Sequence, residues 1–207
     1  KFNSLVLLER EKGIARNPFI NAGAITISDI IYNHYLNPLE AVLSFVRELS
    51  GNPNIDINKK VKNSELEKAY TNFALGYFMK SFHNIKSDVP SLIDFYTSHC
   101  ALEMSCVDLA RTFRLFSQGG KNPWNGNQIL SLSQTKRINA IMMTCGLYNS
   151  VGDFAYRVGL PAKSGVGGAI AAVLPNNMTI AVWSPCLDTN GNSLAGIKAL
   201  ELFTTKT

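Results

Sequence analysis

Lys163-Ser164-Gly165 is the tripeptide of this chain best equipped for chemistry. It lies within the run Gly159-Leu160-Pro161-Ala162-Lys163-Ser164-Gly165-Val166-Gly167-Gly168, directly ahead of the apolar stretch Ala169–Leu174. The lysine supplies a fixed positive charge and the serine a hydroxyl for hydrogen bonding. Glycine lets a ligand lie against bare backbone. On an edge strand these features would hold a small anionic substrate and offer an N–H to a developing oxyanion. Taken alone the tripeptide is unspecific, and its weight comes from residues upstream.

The elements that must position this strand follow from caps and periodicity. Leu5–Leu8 is a short apolar run and predicts a strand remnant, with Phe2–Leu8 supplying part of a sheet. Asn17-Pro18 predicts a helix start that continues to about Tyr32. Asn37-Pro38 predicts a second, with asparagine at the cap and proline in the first turn. Leu39, Val42, Leu43 and Val46 share one face of it, and Gly51-Asn52-Pro53 ends it. Asn63-Ser64 opens a third helix running to about Lys80. Val89, Leu92, Ile93 and Tyr96 repeat the helical spacing over residues 88–99. Ser105 caps a helix that stops at Gly119-Gly120. After a loop over 121–128, residues 131–144 form the last helix of the block.

The pattern then changes. Phe154–Val158 and Ala169–Leu174 read as strands, and Asn176-Asn177 as the turn leading into Met178–Trp183, where Met178, Ile180 and Val182 alternate with their neighbours. A polar loop, Asp188–Asn192, leads into a helix over 193–203. The expected division is a strand remnant at 1–10, a helical subdomain at 11–150, and antiparallel strands plus a C-terminal helix at 151–207. So few strands need further strands or a packed helix; the rest of the sheet is expected ahead of Lys1.

Composition narrows the function classes. Hydrophobic residues make up 46% of the 207, enough for a substantial core. The net charge of +5 is scattered without a dense Lys/Arg run, which argues against nucleic acid and fits acidic metabolites. Cys100, Cys106, Cys145 and Cys186 show neither a CxxC nor zinc spacing and read as free thiols of a reducing compartment, inert in the core. His34, His83 and His99 show no ligand spacing. No apolar run reaches the length of a membrane span, and no signal peptide opens the chain.

Five patterns occur together: Arg16-Asn17-Pro18-Phe19-Ile20-Asn21-Ala22-Gly23-Ala24; Ser64-Glu65 with Asn72-Phe73-Ala74-Leu75-Gly76-Tyr77; Asp94-Phe95-Tyr96; Cys145-Gly146-Leu147-Tyr148; and Gly159 through Gly168. In this order and spacing the chain resembles the serine-dependent glutaminases over essentially its whole length. The resemblance implies an α/β fold of the α+β type, like the serine β-lactamases and penicillin-binding proteins: a helical domain with a mainly antiparallel sheet, here incomplete at the N-terminus. It implies hydrolysis of the L-glutamine side-chain amide to L-glutamate and ammonia through a serine acyl-enzyme, with no cofactor and no metal. Carried over residue by residue, substrate contacts fall on Asn21, Glu65, Asn72, Tyr96, Tyr148 and Val166, and the catalytic roles on Tyr148 and Lys163.

Free glutamine carries a hydrated ammonium and carboxylate, so a pocket must replace that water with paired polar groups. Glu65 suits the ammonium. Asn21, Asn72 and the Tyr96 hydroxyl suit the carboxylate and the amide, and the Val166 N–H one half of an oxyanion hole. Tyr148 suits general acid/base work, with Lys163 keeping its phenol acidic. Glu65 and Asn72, seven residues apart, would face one cleft if they shared a helix. The resemblance also implies a cytoplasmic homodimer or homotetramer, with L-glutamine as partner and neither nucleic acid nor membrane.

The family's nucleophile belongs to a Ser-x-x-Lys motif ahead of Asn21, and the spacing places it before Lys1. The chain's own Ser133-Gln134-Thr135-Lys136 lies far downstream, where Ser131 or Ser133 reads as a helix cap. These 207 residues alone are therefore expected to be inactive. Two other readings compete. One is a penicillin-recognising hydrolase or peptidase, suggested by Lys163-Ser164-Gly165 and Tyr148-Asn149-Ser150. The other is a non-catalytic amino-acid-binding module.

Overall fold

A computed structural model describes residues 4–206. The chain divides into two compact units, residues 1–46 with 53–103 and residues 47–52 with 104–207. The predicted boundary near residue 150 lies instead at 103/104, and the helix after Ser105 packs on the sheet.

The first unit is helical. Leu5–Arg10 forms α1, not a strand: the Ser4 hydroxyl caps it by accepting from the Leu7 N–H, and Leu8 is buried in the core while Val6 faces outward. Phe2 lies outside the described residues. Helix α2 runs over Asn21–His34, four residues after the expected start. Asn17 closes a turn instead, its Oδ1 accepting from the Phe19 N–H at 2.9 Å. Helix α3 spans Pro38–Ser50 as predicted, and the unit boundary falls within it. The single helix expected over 63–80 is two, α4 (Lys59–Glu67), capped by Asn58, and α5 (Tyr70–Ser81). Helix α6 (Val89–Cys100) starts at the Asp88 cap with proline in its first turn. Strands β1 (Asp56–Ile57) and β2 (Leu102–Glu103) pair in a two-residue antiparallel ladder without a sequence signal. Helices α2, α5 and α6 enclose a core built on Ile25, Leu75, Met79, Leu92 and Ile93.

The second unit is α+β. Its sheet is antiparallel in the order β3-β4-β5: β3 Ala162–Ser164, β4 Ala169–Leu174, β5 Met178–Trp183. Helix α7 (Cys106–Ser117) packs on β4 and β5, and α10 (Leu194–Lys206) packs on the same strands. Helix α8 (Leu132–Cys145) and a 3-10 turn (Tyr148–Ser150) precede α9 (Val151–Arg157). The segment expected as a strand at 154–158 is thus helical. Phe154 and Val158, four apart, are both buried, whereas Tyr156 is 91% exposed. Strand alternation would have put all three on one face. The four cysteines are free, but Cys100, Cys106 and Cys186 are exposed and Cys145 half-buried, so none is an inert core residue.

Candidate active site

The first unit holds Asn21, Glu65, Asn72 and Tyr96. Asn21 is the first residue of α2 and Asn72 lies in the first turn of α5; Asn21 Nδ2 donates to Asn72 Oδ1 at 2.8 Å. Neither helix start carries a side-chain cap, so two positive helix ends lie side by side, an arrangement suited to a carboxylate. The Asn21-Ala22-Gly23 pattern has a steric cause. A Cβ on Gly23 would stand 1.9 Å from the Asn17 carbonyl oxygen, so only glycine lets the Asn17-Pro18 turn lie over the first turn of α2.

Glu65 is exposed near the end of α4 and Tyr96 is half-buried on α6. Glu65 and Asn72 do not share a helix, because the chain breaks between them at Lys68-Ala69. What relates Glu65 to the core is α4 packing on α6, where Lys62 Nζ pairs with the Asp94 carboxylate at 2.9 Å. That ion pair accounts for Asp94 in the Asp94-Phe95-Tyr96 pattern.

Tyr96 stacks edge-on against His99 at 5.6 Å between centroids. His99 Nε2 lies 2.8 Å from Ser28 Oγ, which itself donates to the Ala24 carbonyl at 2.8 Å. With the hydroxyl proton committed there, His99 donates from Nε2 to Ser28. Burial holds its pKa down to about 4. Ser28 is 1% exposed, so this Ser–His pair is structural.

The second unit holds Tyr148, Lys163 and Val166. The Cys145-Gly146-Leu147-Tyr148 pattern also has a steric cause. A Cβ on Gly146 would stand 1.7 Å from the Ala162 carbonyl oxygen, so glycine lets the end of α8 abut β3. The Ser164 N–H donates to the Gly146 carbonyl at 3.2 Å across this contact. Tyr148 follows with a left-handed backbone, φ 51°. For a non-glycine residue that costs about 1–2 kcal/mol and recurs at functional sites. Lys163, on β3, places its Nζ 4.7 Å from the Tyr148 ring centroid, a cation–π contact, and also donates to the Ser164 carbonyl.

Val166 stands in the turn between β3 and β4, closed by the Gly168 N–H on the Gly165 carbonyl at 2.9 Å. It is exposed, and its N–H makes no hydrogen bond among the described residues. Ser164 departs from expectation. It is 2% exposed, and its hydroxyl donates to Asn192 Oδ1 at 2.6 Å, so it is not directed at a ligand. Asn192, with Ser150 and Asn190, was not among the sequence-predicted residues. Its only signal was the polar loop 188–192, which read as a connector.

Ser131 caps α8 in a capping box with Gln134. Ser133 is an exposed residue of that helix's first turn. Among the described residues no cluster of three His, Cys, Asp or Glu could hold a metal, and no helix is long and apolar enough to cross a membrane.

The sequence model of one protein family, described as Glutaminase, matches residues 1–207. A glutaminase of Ralstonia nicotianae is 52% identical over 204 residues, covering 99% of this chain and 67% of its own length. The chain spans about two thirds of the length of the curated relatives it matches. A Bacillus subtilis probable glutaminase superposes with a TM-score of 0.90 at 33% identity, covering 99% of this chain and 69% of that one. A Bacillus subtilis glutaminase structure in covalent complex with 5-oxo-L-norleucine superposes with a TM-score of 0.86 at 34% identity, covering 92% of this chain and 68% of that one.

Proposed function

The chain belongs to the glutaminase family, and from that premise we propose that it forms the greater part of an enzyme hydrolysing the side-chain amide of L-glutamine to L-glutamate and ammonia. The observation that carries the chemistry is Lys163 Nζ set over the ring of Tyr148, on backbone the sequence holds in a costly conformation.

The residues divide the labour by chemistry. Asn21 and Asn72, at two uncapped helix starts, take the α-carboxylate, and Glu65 pairs with the α-ammonium. Tyr96 orients the substrate through its hydroxyl. A serine outside residues 1–207 attacks the amide carbon, and the oxygen that gains charge accepts the Val166 N–H. As the serine oxygen bonds to the amide carbon, Tyr148 takes the serine proton and passes a proton to the departing nitrogen, so that ammonia leaves and the acyl-enzyme forms as the C–N bond breaks. Water then attacks the ester carbon while Tyr148 takes its proton and passes one to the serine oxygen as the C–O bond breaks, releasing glutamate and restoring the serine. Lys163 stabilises the negative charge that develops on the Tyr148 oxygen in each half-reaction. The reaction consumes one water per amide and requires no redox partner. We place the enzyme in the cytoplasm as a homodimer or homotetramer, an assembly that light scattering on the eluting protein checks.

Ammonia release by the full-length protein from glutamine, from asparagine and from a chromogenic β-lactam tests the reading. Turnover of glutamine well above the other two is expected. Turnover of the β-lactam alone, or calorimetric binding of glutamine without turnover, overturns it.

A further inference from the structure

Tyr148 sits on a three-residue turn and Lys163 on a three-residue strand. Neither element is long enough to fix the separation of the two side chains by itself, yet proton transfer tolerates little misplacement. Both segments are tied to a third, the loop Asp188–Asn192. Asn192 is fully buried and reaches both ways. Its Oδ1 accepts from the hydroxyl of Ser164, the neighbour of Lys163, at 2.6 Å. Its Nδ2 donates at 3.1 Å to the hydroxyl of Ser150, two residues after Tyr148. Asn190 Nδ2 donates to the same Ser150 oxygen at 2.9 Å.

The loop is itself fixed: Asp188 Oδ1 accepts from the N–H groups of Asn190 and Asn192 at 2.8 and 2.9 Å, and Leu187 bridges Ser193 at its base. It also reaches the turn after β3, where a Cβ on Gly191 would stand 3.4 Å from Val166 Cγ1. Leu147 and Ala162, which flank this network along the chain, belong to an apolar core cluster. Hydrogen bonds there add little net stability over apolar packing, but a fully paired network specifies one geometry.

We propose that Asn192 is a positioning residue: it holds Ser150 and Ser164 at a fixed span and thereby sets Tyr148 against Lys163. This rests on the reading of that pair as the proton-transfer machinery. The test is made in the full-length protein with Asn192→Ala, Ser150→Ala, Ser150→Thr and a control. The control is Asn122→Ala, which removes a comparably buried asparagine bound to Glu48 at 2.6 Å in the same unit.

Asn192→Ala and Ser150→Ala should lower kcat roughly tenfold to a hundredfold at nearly constant KM and shift the pH at which kcat falls. Ser150→Thr, which keeps the hydroxyl, should restore both. Asn122→Ala should lower Tm without moving the pH profile. Asn192→Ala behaving like Asn122→Ala overturns the proposal. Hydrogen exchange gives a readout free of turnover. Asn192→Ala, or Ser150→Ala if the former fails to fold, should speed exchange at amides 147–150 and 163–166 while sparing α7. Unchanged exchange there overturns the positioning role even in a protein that turns over no glutamine. A wild-type protein without turnover refutes instead the reading of the site.

Discussion

Lowering the pH from 7 to 5 should destabilise this protein by about 2 kcal/mol through His99 alone. His99 is packed against Phe95 and Tyr96, with centroids 5.0 and 5.6 Å away, and its Nε2 proton is committed to Ser28. Burial disfavours the charged ring and holds its pKa down to about 4, against an ordinary value of 6.5. The sign follows from that depression. Above the unfolded value both states are neutral and the full stability is present. As the pH falls below 6.5 the unfolded chain takes up a proton that the folded chain refuses, and stability drains away until the folded ring also protonates near 4. Across the whole window the difference is about 3 kcal/mol, of which about 2 is reached by pH 5.

Urea unfolding of wild type and His99→Phe at both pH values isolates this contribution, because the other groups titrating in the interval cancel in the double difference. The wild type should lose about 2 kcal/mol more than the variant between pH 7 and 5. The His99 ring proton should not titrate in an NMR series until near pH 4. Equal losses in the two proteins, or a His99 midpoint near 6.5, would refute the argument from burial.

Three further outcomes follow from close contacts and charge. Gly146→Ala puts a methyl group 1.7 Å from the Ala162 carbonyl oxygen and should cost about 3 kcal/mol or more, read as a large drop in Tm. Glu65→Gln in the full-length protein should raise KM for glutamine by roughly tenfold, about 1.4 kcal/mol, with kcat little changed; an unchanged KM removes Glu65 from the ammonium site. Residues 1–207 expressed alone should release no ammonia from glutamine, whereas robust release would place the nucleophile among them, with Ser133 the first candidate.

Helices whose starts carry their own chemistry were legible in sequence. Asp88 before Val89-Pro90, Ser105 with Asp108, and Ser131 with Gln134 each satisfy the first N–H groups of a helix, and the structure starts α6, α7 and α8 there. Strands β4 and β5 were legible because an Asn-Asn turn joins a continuous apolar run to a stretch in which Met178, Ile180 and Val182 alternate with their neighbours, and Asn176 in that turn takes a left-handed backbone, φ 61°.

The errors were ambiguities of short apolar runs. Leu5–Leu8 fits a strand or a helix, and the Ser4 cap decided it. Phe154–Val158 fits either period, and the Asp153–Arg157 ion pair at 3.2 Å, four residues apart, was the helical signal overlooked. The break at Lys68-Ala69 involves neither glycine nor proline and left no mark. The site residues proposed from sequence are those embedded in specific patterns. Asn192 was missed because a buried asparagine inside Asp-Thr-Asn-Gly-Asn reads as one more turn residue. Only the fold shows that it is enclosed between Ser150 and Ser164.

In the proposed mechanism Tyr148 carries the proton under the charge of Lys163. The most direct measurement is the steady-state kinetics of Tyr148→Phe in the full-length protein, which removes one oxygen and leaves the ring beneath the lysine. Loss of about a hundredfold to ten-thousandfold in kcat, with KM for glutamine nearly unchanged, is the predicted result. A variant that keeps wild-type kcat would contradict it.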